Sequence, residues 1–173
     1  AVMLFTANVS FAKRDMNAKS TFGMEGLGHY TFSDYETLFV NFPTNNIRVS
    51  GAGAKLFYDY KFDSNLAFSG ALGYSRLLSS NNNIRNVVAE NYFLIDMMGS
   101  YYFLGKYDNL FQPYASVGLG AVVSGTGVAP LLNVGGGTHV FLTDKVSLKV
   151  QALYKTAFIH HRIEGGLGIG FHF

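Results

Sequence analysis

The chain has 173 residues, with 13 Lys and Arg against 11 Asp and Glu, no cysteine and no tryptophan, but 20 Gly, 16 Phe and 11 Tyr. Lacking cysteine, it has no disulfide framework and no thiolate metal site, and a net charge of +2 leaves no broad basic face for nucleic acid. Only 14% of the residues are charged, against about a quarter in a typical soluble domain, yet no run of 18 apolar residues offers a transmembrane helix.

The apolar content is instead spread by alternation. Residues 1–18 open with AVMLFTANVSFA and then KRD. They read either as the tail of a secretory signal peptide, with Ser10 and Ala12 small before a cut, or as an ordered N-terminal extension. From residue 19 to residue 173 the pattern is one of strands. Eight segments are predicted: 20–32, 46–62, 64–77, 87–104, 109–123, 129–142, 145–158 and 162–173. In the second, Ala52, Ala54, Leu56, Tyr58, Tyr60 and Phe62 oppose Lys55, Asp59 and Lys61. In the fourth, Phe93, Ile95, Met97, Tyr101 and Phe103 oppose Glu90, Asp96, Met98, Ser100 and Tyr102. The seventh sets Val146, Leu148, Val150, Ala152 and Tyr154 against Lys145, Ser147, Lys149, Gln151 and Lys155; at helical spacing those lysines would scatter around the axis. The closing segment sets Ile163, Leu167, Ile169, Phe171 and Phe173 against Arg162, Glu164, three glycines and His172.

Soluble strands run about five or six residues, whereas alternating segments of about ten or more match tilted strands crossing a bilayer. Water is absent from the bilayer core, so a sheet there must close to satisfy its backbone. The predicted fold is therefore all-β, an eight-stranded antiparallel transmembrane β-barrel. Tight connections (FDSN, GKYDN, TDK) alternate with others that include the longer 33–45 and 79–86. An even strand count puts both termini on the tight-turn side, which is periplasmic in bacterial outer-membrane barrels. Aromatic residues fall near both segment ends, as two interfacial girdles would require.

Eight strands leave a lumen that side chains fill. The inward charges Glu25, Lys55, Asp59, Glu90, Asp96, Lys149, Lys155, Arg162 and Glu164 are expected to pair as a polar network, because a lone buried charge is costly. His160 and His161 sit side by side and face opposite ways, and His29, His139 and His172 are placed inward at different heights, so no metal site is expected. Catalysis by a hydroxyl needs a base within hydrogen-bond reach; no histidine has Ser two residues on, the same-face spacing of a strand, which leaves cross-strand pairs. No cofactor is expected. The 33–45 connection carries Tyr35, Leu38, Phe39 and Phe42, an apolar loop suited to docking on a partner or lipid.

The stretches QPYASVGLGAVV (112–123) and GGGTHVFLTDKVSLKVQALY (135–154) resemble the barrel domain of the OmpA family and its small outer-membrane relatives. The terminal Ile169, Phe171 and Phe173 resemble the C-terminal signal read by the barrel assembly machinery. The resemblance implies an outer-membrane location beside lipid and lipopolysaccharide. It also implies a non-enzymatic structural or interaction role, including that of an accessory subunit beside another outer-membrane protein. The alternatives are a narrow pore and, third, a lipid A-modifying enzyme.

Overall fold

The computed structural model describes residues 19–32, 47–80, 87–104, 110–125, 127–157 and 160–173. Eight strands follow in order: β1 (Ser20–Phe32), β2 (Ile47–Lys61), β3 (Leu66–Ser80), β4 (Val87–Tyr102), β5 (Phe111–Ser124), β6 (Gly127–Phe141), β7 (Val146–Ala157) and β8 (His160–His172). Each pairs antiparallel with the next, and β8 returns to β1, so the sheet is a closed barrel. The seam runs from Thr21 opposite His172 to Thr31 opposite Arg162. Ser20 and Phe173 lock its end with two backbone hydrogen bonds, of 3.0 and 2.9 Å. Closure removes the unpaired edges that an open sheet would present.

Period-two alternation decides which side chains meet the outside. On β1, Phe22 and Met24 point out while Thr21, Gly23, Glu25, Leu27 and His29 point in. The outer surface is a continuous apolar belt that includes Met24, Leu56, Leu72, Phe93, Met97, Leu119 and Leu167, all exposed. So large an apolar surface has no place in water. It fits a bilayer, and the fold is a transmembrane one.

The ends differ from the sequence pattern in small ways. β3 continues to Ser80, and β6 begins earlier, at Gly127, where Ser124 opposite Gly127 closes a short hairpin. Lys145, grouped with the inward lysines by parity, is exposed in the turn before β7. That turn binds its own backbone: the Lys145 and Val146 N–H groups donate to Thr143 Oγ1 at 3.3 and 3.1 Å. The alternation therefore starts one residue later. A register shift between His29 and Tyr30 puts a bulge on the β1–β2 pair. Residues 1–18, and the loop with Tyr35, Leu38, Phe39 and Phe42, lie outside the described residues.

Candidate functional site in the lumen

Alternation drives the charged residues of five strands, β1, β2, β4, β7 and β8, into one interior. Among the described buried residues, the carboxylates Glu25, Asp59, Asp96 and Glu164 equal in number the cations Lys55, Lys149, Lys155 and Arg162. Lys155 is the centre of a belt. Its Nζ lies 2.6 Å from Asp96 Oδ2 and 3.0 Å from Glu164 Oε2, with no exposed surface. Lys55 Nζ donates to Glu164 Oε1 at 2.8 Å and lies 3.6 Å from Glu25 Oε2. Asn133 Nδ2 donates to the other oxygen of Asp96 at 2.8 Å. Nearer the turns, Lys149 Nζ sits 3.5 Å from Asp59 Oδ2 and 3.8 Å above the Phe57 ring. Arg162 departs from the expected pairing, since its Nε and Nη2 find no acceptor among the described residues. Glu90 lies on β4 opposite Leu77, with its side chain outside the described residues.

Glycines let this belt close. On β8, a Cβ at Gly166 would strike the Glu25 carboxylate, and one at Gly168 would come 2.9 Å from Glu25 Cα. The empty positions on that strand hold the space that Glu25 fills from β1.

The lumen is not polar throughout. Leu27, Leu94, Val122 and Leu131 form an apolar cluster with Tyr92 against it. Leu27, Leu94 and Leu131 lie one inward position toward the loop side of Glu25, Asp96 and Asn133, so they cap the belt. Toward the turns, Tyr102, Tyr114, His139, Phe141 and His172 make an aromatic floor, with ring centroids 4.7 to 6.2 Å apart along the chain of contacts. Parity cannot distinguish an inward Leu from an inward Lys by role, and Leu27, Leu94, Val122, Leu131, Tyr114 and Phe141 were the residues a polar-lumen expectation passed over. Between cap and floor a cavity of about 20 Å³ touches Lys55, Asp59, Asp96, Tyr114, Ser116 and Lys149. That is room for about one water molecule.

The histidines are arranged differently from expectation. His139 and His172 share one level, with ring centroids 5.9 Å apart. Thr21 Oγ1 and Ser147 Oγ lie 2.8 Å from the two nitrogens of His172, and Ser147 Oγ is also 3.1 Å from His139 Nδ1. Asp59 stands 3.8 Å from His139 Nε2. This is a cross-strand hydroxyl–imidazole–carboxylate row of the kind nucleophilic catalysis uses. Its hydroxyl, however, has no exposed surface. The row joins β1, β8, β7, β6 and β2 across the seam. Thr31 stands two residues beyond His29, the one His-x-Thr pair in the chain, and its side chain lies outside the described residues. His161 faces outward, stacked on Tyr154 and with Nδ1 within 2.8 Å of the Tyr154 and Thr156 hydroxyls.

A closed eight-stranded barrel is a fold shared with solved outer-membrane proteins. Ail, the attachment invasion locus protein of Yersinia pestis, superposes with a TM-score of 0.61 at 14% identity, over 90% of this chain and 99% of that one. Neisserial surface protein A superposes with 0.64 at 15% identity, over 89% and 97%. OprG from Pseudomonas aeruginosa gives 0.64 at 10% identity, over 94% and 98%. The fold is that of these small eight-stranded outer-membrane barrels. No protein-family model matches the sequence, and no curated protein matches it either. In this small-barrel fold, Ile169, Phe171 and Phe173 point outward from the closing strand, all exposed.

Proposed function

We propose that this is a sealed, non-enzymatic barrel of the bacterial outer membrane that acts through its outer surface and loop-side rim in a structural or interaction role. The observation that carries this is the filled lumen. A charge-matched belt around Lys155, an apolar cap and an aromatic floor occupy the lumen, and the cavity between cap and floor has room for about one water, which argues against a path for a hydrated ion. The pore reading is disfavoured by the same packing. The lipid-modifying reading is disfavoured by the burial of Ser147 behind the floor.

With tight turns and termini at one end, the reading places both termini in the periplasm and the longer connections outside. Partners at those loops, around Tyr35, Leu38, Phe39 and Phe42, include lipopolysaccharide or another outer-membrane protein to which this barrel is an accessory. Ile169, Phe171 and Phe173 are the surface offered to the assembly machinery during insertion. The decisive measurement is planar-bilayer conductance of the refolded barrel. No steady openings are expected; unitary steps that recur with constant amplitude would overturn the sealed reading in favour of a pore. Co-purification of a second membrane protein in mild detergent supports the accessory role, and its repeated absence from native membranes counts against it.

A further inference from the structure

The lipid-facing side of the barrel carries one feature that the apolar belt does not explain. Among the described lipid-facing strand positions, Arg76 is the one that bears an Asp, Glu, Lys or Arg side chain, and it is exposed. It lies on β3, opposite Ala52 on one side and Asn91 on the other. One outward position below it is Tyr74, whose ring meets Phe93 edge-on at 5.4 Å in the loop-side girdle. Two residues of a tilted strand carry Arg76 about 5 Å beyond that ring, to the level of lipid headgroups. There the cost of an arginine is small, and its stem can reach outward along the apolar surface.

Nothing described on the protein neutralises it: no described carboxylate forms an ion pair with Arg76. Its neighbour is prepared to help. The Tyr74 hydroxyl donates to Asn91 Oδ1 at 2.8 Å, which fixes the amide and leaves Nδ2 as a donor beside Arg76. A planar guanidinium with an amide N–H next to it suits the oxygens of a phosphate.

We propose that Arg76 and Asn91 bind the phosphate of an anionic lipid headgroup in the loop-side leaflet. The inference rests on the membrane reading above. The test is native mass spectrometry of the barrel released from vesicles of equal parts phosphatidylglycerol and phosphatidylcholine, with folding followed separately by the heat-dependent shift on gels. Wild type retains phosphatidylglycerol over phosphatidylcholine. Arg76→Gln lowers that retention at least about tenfold, and Arg76→Lys, which keeps the charge but not the fork, retains an intermediate amount. Equal retention by all three folded barrels overturns the proposal, as does displacement of the lipid by inorganic phosphate, which would make the site one for a free anion. A barrel that fails to enter the vesicles overturns the membrane reading instead, so the two failures are distinct.

Discussion

Lys155 shows how much a single buried residue holds in this fold. It is enclosed between Asp96 and Glu164, and with it gone Lys55 would be the remaining described cation within 4 Å of either carboxylate. Removing one partner of a buried ionic group leaves uncompensated charge and costs about 3–5 kcal/mol. Lys155→Met is therefore expected to lower the urea midpoint of the barrel in lipid vesicles by a corresponding amount, and a midpoint unchanged from wild type would show that the belt carries no stability. The glycines divide at the same scale. A Cβ at Gly118 would come 2.6 Å from Met98 Cα and collide with the Met97 carbonyl, whereas one at Gly28 meets nothing within 4 Å. Gly118→Ala should destabilise by about 1–3 kcal/mol through overpacking. Gly28→Ala should be neutral or stabilise by about 0.5 kcal/mol, since glycine weakens a strand interior. Urea titration of the two variants side by side checks the contrast.

Among the elements, β8 carries the closure. Its period-two pattern puts His172 inside, where it meets Thr21 on β1 and Ser147 on β7. A slip of one residue would turn His172 to lipid and Phe171 into the floor, so the buried contacts and the lipid face select the same register. Ser147→Ala removes the hydroxyl shared by both imidazoles. The expected loss is about 2 kcal/mol, from buried nitrogens left short of a partner, read as a lower temperature for the gel shift of the folded band. The pattern of β8 was legible in the sequence because alternation is local. The meeting of His139, Ser147 and His172 was not, because three strands contribute one residue each and only the strand stagger sets their common height.

At the scale of the whole molecule, the barrel is a short cylinder with a buried, charged interior. Phe22 and Tyr30 bound the outer face of β1 eight residues apart, which at about 3.3 Å per residue and about 40° of tilt spans about 20 Å. Folding should be faster and more complete in vesicles of 12-carbon lipids than of 18-carbon lipids, because a short belt mismatches a thick bilayer; equal yields in both would show that the belt is longer than the girdles suggest. The interior pairs are buried, with side chains at most 6% exposed, and buried pairs are screened much less than exposed ones. Raising sodium chloride from about 0.1 to 1 M shortens the screening length from about 10 to 3 Å in solvent, and the urea midpoint should scarcely move. A large fall with salt would mean that the belt is wetted.

The order of residues by itself determined the strands, their two faces, their number and the closed sheet, because side-chain direction in a strand depends only on parity and a bilayer forbids open edges. It also placed Glu25, Lys55, Asp59, Asp96, Lys149, Lys155, Arg162 and Glu164 inside. Tertiary structure alone decided which of them touch: Lys155 reaches Asp96 and Glu164 from other strands, while Arg162 reaches no described carboxylate. It alone decided that Leu27, Leu94, Val122 and Leu131 converge to cap the lumen. Those contacts depend on the stagger and tilt of closure, and both belong to the ring as a whole, beyond the reach of any single strand's pattern.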